Sequence, residues 1–70
     1  MRRDRWPFNG KRYIGNTNTK EVHDLDHEKP ACQIDEIKDE HVRTFTPDTL
    51  EEAHRHRFDN CAHCIGGSRW

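Results

Sequence analysis

The chain has 70 residues, of which 30% are apolar and 36% are charged, and its formal net charge is −1. A domain of this size buries only about 60% of the surface that its unfolded chain exposes, so a core built from so few apolar residues is marginal. This excludes a fold held by its apolar core alone. Because turn signals and short periodic segments along the chain argue against full disorder, the composition predicts a cross-linked or metal-stabilised domain.

Short segments with β propensity predict the first strands. Residues 11–15 and 20–23 have the composition of strands, and they flank Gly15–Thr19, whose residue types favour a turn. Residues 24–30 are predicted to form an acidic loop and residues 31–39 a short helix. Residues 41–46 are rich in β-branched and aromatic side chains and predict another strand.

A second helix is predicted after this strand. Thr46 can act as its N-cap, Pro47 suits the first helical position, and the helix is expected to end near Phe58. The whole order of elements predicts a small α+β domain with a short β-hairpin or sheet and one or two short helices.

Charge is distributed unevenly along the chain. Residues 1–12 contain five basic residues and one acidic residue, a net charge of +4, whereas residues 13–70 contain seven basic and twelve acidic residues, a net charge of −5. We therefore predict a basic N-terminal arm (1–10), a metal-binding domain (11–66) and a C-terminal tail (67–70). The first ten residues lack the apolar stretch of a secretory signal, and no apolar run is long enough to cross a bilayer, so we expect a cytoplasmic protein.

Three cysteines, Cys32, Cys61 and Cys64, provide the candidate cross-link. An odd number of cysteines cannot form a closed set of disulfides, and structural disulfides are rare in the cytoplasm. A c-type haem site requires His directly after the second Cys of the pair, but Ile65 stands there. Two thiolates separated by two residues are typical of a tetrahedral metal site, and a thiolate and imidazole donor set suits zinc. We predict one Zn²⁺ that is bound by the three cysteines and one histidine and stabilises the fold.

Six histidines could provide the fourth ligand: His23, His27, His41, His54, His56 and His63. The first two, His23 at the end of a predicted strand and His27 in the acidic loop, precede Cys32 and can complete the site with it. The other four lie on a predicted strand or helix, or between Cys61 and Cys64, where side chains usually point outward. Local spacing slightly favours His27, because it closes the shorter loop to Cys32.

Several motifs taken together resemble the Ada-type metal-binding domain. They are the segment Gly15–His23, Cys32, Phe45, Glu51-Glu52-Ala53 and Phe58–Cys64. The family pattern is roughly G-N-x-N-S-K-x-x-H, then C, a strand ending in F, E-E-A, a helix and Y-x-P-C-x-x-C. The resemblance covers about Tyr13 to Cys64 and implies that His23, rather than His27, is the fourth ligand. The implied ligand set is His23, Cys32, Cys61 and Cys64.

The chain also departs from the Ada-type pattern. Eight residues separate His23 from Cys32, where the family usually has three, and Asn60 replaces the Pro before Cys61. Arg57 stands where the family often has Gly, so the helix can end differently there. In the DNA-repair members the first ligand is a cysteine that accepts a methyl group from a phosphotriester. Because His23 stands at that position, the resemblance implies the metal scaffold without the repair chemistry.

These observations predict a non-enzymatic zinc-binding module that serves as an interaction or accessory protein. A closed tetrahedral site leaves no position for a substrate. The alternative is a nucleic-acid-binding accessory protein whose arm contacts phosphates and bases. The residues that would make this contact are Arg2, Arg3, Arg5, Trp6, Lys11 and Arg12. In the opposing interpretation, the arginines of the arm fold back onto the acidic body, and Trp6 or Phe8 completes the core.

Overall fold

The structure is a computed structural model that describes residues 2–66, so the tail predicted at 67–70 lies outside the described residues. Within this range the strands are β1 (Tyr13–Asn16), β2 (Glu21–Asp24), β3 (Val42–Thr44) and β4 (Asp59–Asn60), and the α-helix is α1 (Leu50–Arg55). The remaining helical segments are short 3₁₀ turns: Leu25–His27, Pro30–Cys32, Ile34–Glu36 and Asp39–His41. The predicted α+β class is confirmed. None of the helices formed by residues 2–66 is long and apolar enough to cross a membrane.

The four strands within residues 2–66 form one mixed sheet in the order β3-β1-β2-β4. The predicted hairpin is its centre: β1 and β2 pair antiparallel, and β3 pairs antiparallel with the other edge of β1. The sequence did not predict β4, which pairs parallel with β2 and aligns Asn60 with Val22. Through this pairing, the chain that leaves β4 passes directly beside β2.

Gly15 lies inside β1 rather than in the turn that follows it. A Cβ atom at this position would stand 2.6 Å from Cε1 of Phe58 and 3.0 Å from Cζ of Phe45. Glycine therefore allows two aromatic rings to approach the backbone of the central strand closely.

The helix predicted over residues 31–39 is interrupted. Gln33 has a φ of 54° and separates the 3₁₀ turn Pro30–Cys32 from the turn Ile34–Glu36. A residue in the left-handed region cannot continue a right-handed helix, so the segment forms two single turns.

The start of α1 also differs from the prediction. Its N-cap is Thr49, whose side chain accepts a hydrogen bond from the amide of Glu52 at 3.2 Å, and not Thr46. The intervening Asp48 carboxylate accepts hydrogen bonds from the backbone amides of Arg12 and Tyr13 at 2.7 and 2.9 Å. This tertiary contact holds the segment before Thr49 against the start of β1, so it cannot form the first turn of the helix.

Helix α1 ends before Phe58, where the sequence predicted its end, and the expectation of a different ending at Arg57 in place of Gly is not confirmed. The helix ends at Arg55, and Arg57 adopts a φ of 68°. This is the left-handed conformation in which glycine most often follows a helix.

Two apolar clusters form the core. The metal-side cluster consists of Phe8, Ile14, Leu25, Cys32, Ile34 and Cys61. The aromatic cluster consists of Val22, Phe45, Ala53 and Phe58. Strand β1 contributes Ile14 to the metal-side cluster and strand β2 contributes Val22 to the aromatic cluster, so the hairpin joins the two halves of the core.

The basic N-terminal segment lies against the body of the protein. Its ion pairs include Arg2–Asp26, Arg3–Glu28, Arg3–Asp35, Arg5–Asp39, Arg12–Asp24 and Arg12–Asp26. Phe8 is fully buried, whereas the side chain of Trp6 remains 69% exposed. The arginines thus fold back onto acidic residues, and Phe8 rather than Trp6 completes the core.

Candidate metal centre

The structure brings the four sequence-predicted ligands together. The candidate ligand atoms of His23, Cys32, Cys61 and Cys64 all lie within 4.8 Å of one another. Cys32 Sγ is 3.5 Å from Cys61 Sγ, and Cys64 Sγ is 3.8 Å from His23 Nδ1. Sulfur donors placed ~2.3 Å from a central zinc ion in a tetrahedron stand about 3.8 Å apart. The spacing of the group therefore suits one tetrahedrally bound metal ion.

Sheet pairing places His23 and Cys61 side by side. His23 lies on β2, where it is buried. Because β4 runs parallel to β2, the amide of Cys61 donates to the carbonyl of Val22 at 3.0 Å. The first cysteine of the pair consequently leaves the sheet next to the histidine.

A turn after β4 brings Cys64 back to β2. The carbonyl of Cys61 accepts hydrogen bonds from the amides of Ile65 and Gly66 at 3.0 and 2.9 Å. The Sγ atom of Cys64 accepts a hydrogen bond from the amide of Asp24 at 3.3 Å. The backbone of β2 therefore orients the sulfur of Cys64 as well as the ring of His23.

The acidic loop carries Cys32 to the group. The eight residues between His23 and Cys32 are taken up largely by two 3₁₀ turns, Leu25–His27 and Pro30–Cys32. The amide of Cys32 donates to the carbonyl of Lys29 at 2.9 Å, which closes the second turn and places Cys32 in the metal-side cluster. Although this loop is longer than in the Ada-type pattern, it places Cys32 beside the other candidate ligands.

His27 lies away from the sulfur atoms. Its side chain is 64% exposed, and its Nδ1 stands 2.9 Å from Oδ2 of Asp24. Two other histidines contact side chains elsewhere, His54 at Asn60 and His56 at Glu52. Of the histidines, His23 is the one that the structure places in the group of potential ligands.

Burial shifts the pKa values of the potential ligands towards their neutral forms. Burial lowers the pKa of the His23 imidazole to about 4, so the ring is neutral near pH 7 and keeps a lone pair for a metal. Burial also raises the pKa of the Cys32 and Cys64 thiols. All three cysteines are free, and 3.5 Å between Cys32 and Cys61 is far longer than the ~2.0 Å of a disulfide bond. A divalent cation would offset the cost of forming thiolates here and deprotonate the thiols.

Sequence reasoning missed the structural role of Asn60. This residue is buried, its Nδ2 donates to the carbonyl of Gly66 at 3.1 Å, and its Oδ1 lies 2.6 Å from Nε2 of His54. Asn60 therefore connects the turn that holds Cys61 and Cys64 to helix α1. The signal in the sequence was a polar residue at the position where the Ada-type pattern has Pro.

A groove of about 470 Å³ borders the group. Three of the four candidate ligands, His23, Cys32 and Cys61, contribute to its lining together with polar side chains such as Asn16 and Lys38. Although these three residues are buried, the groove extends from the surface to the group that they form.

Comparison of the chain with models of protein families, with curated proteins and with solved structures found no match.

Proposed function

We propose that this protein is a small non-enzymatic module in which one Zn²⁺ bound by His23, Cys32, Cys61 and Cys64 stabilises the fold. The observation that carries this proposal is the group of four ligand atoms within 4.8 Å of one another. Three sulfur donors with one imidazole nitrogen form a donor set typical of structural zinc and unlike that of magnesium or calcium.

The size of the core supports a structural role for the metal. Each apolar cluster contains few residues, and the segment around Cys32 consists of single 3₁₀ turns. Structural zinc contributes on the order of 10–16 kcal/mol in finger-sized peptides, more than so small a core can supply. Four protein ligands fill a tetrahedral site and leave no position for water or substrate, which supports a module without catalytic activity.

We further propose that the module is a histidine variant of the Ada-type metal-binding domain. The motifs between Gly15 and Cys64 support this, together with the grouping of the four residues that the resemblance implies. The Nδ1 atom of His23 faces the sulfur of Cys64, so a metal-bound ring would have no comparable lone pair to accept a methyl group. The proposed variant therefore lacks methyl-transfer chemistry.

For the partner, we propose a protein rather than a nucleic acid. The arginines of residues 2–12 already pair with carboxylates such as Asp26, Glu28 and Asp24, so a phosphate would compete with these groups. The gain in electrostatic free energy would be small, because each arginine exchanges one anion for another. The exposed side chain of Trp6 offers an apolar contact for a protein. If an oligonucleotide at low salt shifted the amide signals of residues 2–13, the nucleic-acid alternative would replace this proposal.

The metal proposal is tested by comparing His23→Ala with His27→Ala. We expect the wild-type protein and His27→Ala to be purified with one zinc ion per chain and His23→Ala to lose it. Metal content is measured by elemental analysis, and Co²⁺ substitution reports tetrahedral sulfur and nitrogen ligation through its absorption bands. A wild-type protein without metal would overturn the proposal. Loss of zinc from His27→Ala alone would overturn the assignment of His23.

A further inference from the structure

One side chain of the N-terminal segment, Arg3, contacts the loop around Cys32 on both sides. Its Nη1 and Nη2 atoms donate to the two carboxylate oxygens of Glu28, each at 2.9 Å, and its Nε donates to Oδ1 of Asp35 at 3.0 Å. Glu28 precedes Cys32 by four residues and Asp35 follows it by three. The guanidinium group therefore bridges the two ends of the segment that carries this cysteine.

This bridge is shielded from water on its Glu28 side. The exposed fraction of the side chain is 16% for Arg3 and 21% for Glu28, whereas Asp35 is 74% exposed. A two-pronged pair between Arg and a carboxylate is directional as well as strong, since both hydrogen bonds must keep their geometry. The contact to Glu28 is thus the main restraint and the contact to Asp35 completes it.

Arg3 also connects this loop to the core beneath the metal centre. Its guanidinium carbon lies 5.4 Å from the centre of the Phe8 ring. Phe8 is fully buried and belongs to the metal-side cluster with Cys32 and Cys61. The guanidinium group of Arg3 therefore contacts both the loop around Cys32 and the Phe8 ring that packs in the same cluster as this cysteine.

The loop depends on such a restraint. Between β2 and β3 the backbone forms single 3₁₀ turns, and Gln33 breaks the helical path directly after Cys32. Single turns have little stability of their own. Cys32 is also the candidate ligand that comes from neither β2 nor the turn after β4, so its position depends on how the loop is anchored.

We propose that Arg3 is a positioning residue for the metal centre, which holds Cys32 at ligand distance by bridging Glu28 and Asp35 and thereby slows release of the metal. This inference rests on the proposed function, and it assigns the N-terminal segment a role in retaining the ion.

The chain contains a matched control for this proposal. Arg2 is the neighbouring cation and also forms a two-pronged pair, with Asp26, at 2.9 Å. The side chains of this pair are 48% and 37% exposed, and Asp26 does not flank Cys32 as Glu28 and Asp35 do. Exposed ion pairs contribute little. Arg2→Ala therefore removes the same charge as Arg3→Ala without removing the bridge.

The test uses the full chain loaded with Co²⁺ and measures the rate at which a chelator bleaches the cobalt absorption. We expect Arg3→Ala to release the metal about tenfold faster than wild type and Arg2→Ala to differ by less than about twofold. Arg3→Lys keeps the charge but lacks the planar fork, so it should resemble Arg3→Ala. Glu28→Gln should have a larger effect than Asp35→Asn.

A second measurement separates positioning from general stabilisation. Iodoacetamide is added to the loaded protein, and peptide mass spectrometry follows alkylation of Cys32 separately from that of Cys61 and Cys64. In Arg3→Ala, Cys32 should react ahead of the other two cysteines. Equal acceleration at all three, or equal release rates in Arg3→Ala and Arg2→Ala, would overturn the positioning role alone. A wild-type chain that takes up no Co²⁺ would instead overturn the zinc proposal, and this inference with it.

Discussion

In the aromatic cluster, Ala53 of helix α1 and Val22 of the sheet pack with Phe45 and Phe58, which lie before and after the helix in the chain. The rings of Phe45 and Phe58 meet edge to face with centres 5.3 Å apart, and Lys20 Nζ lies 4.3 Å from the centre of the Phe58 ring. In the metal-side cluster, by contrast, two cysteines pack among large apolar side chains, and the surrounding backbone consists mainly of 3₁₀ turns. Apolar packing thus contributes to both halves of the core, but the metal-side half also brings together four donors that suit a cation.

The comparison shows how a very polar chain of this length can fold. Phe45 and Phe58 pack the aromatic cluster, and Phe8 packs the metal-side cluster. On the metal side, ion pairs of the N-terminal segment and, under the zinc proposal, a bound metal ion add to this packing. Because β1 contributes Ile14 to one cluster and β2 contributes Val22 to the other, a change in either half should be transmitted to the hairpin.

The largest expected effect is that of metal removal. Under the zinc proposal, chelation removes on the order of 10 kcal/mol of stabilisation and should unfold the whole chain, because the two clusters share the hairpin. Amide dispersion in NMR spectra, recorded before and after addition of EDTA, measures this. If the signals of residues 42–58 stayed dispersed while those around Cys32 collapsed, the aromatic cluster would be shown to fold by itself.

The next largest effect is expected for Phe58→Ala. Truncating this fully buried ring should lower the free energy of unfolding by about 3–5 kcal/mol, because a cavity replaces its contacts with Phe45 and Lys20. Trp6→Ala, at an exposed position, should change stability by less than about 0.5 kcal/mol. Denaturant unfolding of the metal-loaded proteins checks both values.

Metal content sharpens the same experiment. Phe58→Ala should keep one metal ion per chain, since its ring belongs to the other half of the core. A folded Phe58→Ala protein that had lost its metal would show that the aromatic cluster positions the ligands directly.

Lowering the pH is expected to have a smaller effect on the free energy of unfolding, through His23 in the group of candidate ligands. Burial lowers the pKa of His23 to about 4 from an ordinary value of 6.5, so the unfolded chain binds a proton in this interval and the folded chain does not. Stability is therefore highest above pH 6.5 and falls as the pH approaches 4, by about 3 kcal/mol for this group. Protons compete with a metal for the thiols in the same direction.

Urea unfolding at a series of pH values measures this loss. His27→Ala is the control and should reproduce the wild-type profile, because His27 lies at the surface beside Asp24. The loss of unfolding free energy caused by Phe58→Ala should stay constant across the series. Phe45 and Lys20, which contact the Phe58 ring, do not belong to the group of candidate ligands. Stability that did not change between pH 6.5 and 4 would contradict the burial of a neutral His23.

Much of the fold could be predicted from local patterns. The hairpin, the strand at residues 42–44 and a helix after it follow from residue types and turn signals. Two predictions were wrong: a continuous helix over residues 31–39 and Thr46 as the N-cap of α1. The backbone conformation of Gln33 interrupts the first, and a tertiary contact of Asp48 excludes the second. The carboxylate of Asp48 accepts a hydrogen bond from the amide of Tyr13 in β1, 35 residues away along the chain, and local propensity cannot predict that contact.

The sequence by itself determined the α+β class and the candidate donor set of three cysteines with a histidine. Both follow from residue types, since secondary-structure propensity and ligand chemistry are properties of the individual side chains. Spacing slightly favoured His27, and the motif resemblance was needed to favour His23. Tertiary structure decided which donors meet: the parallel pairing of β4 with β2 places Cys61 beside His23, and the bridge of Arg3 to Glu28 and Asp35 holds the loop of Cys32. Such contacts between distant segments depend on which surfaces and charges the whole fold brings together. Local residue patterns therefore do not predict them.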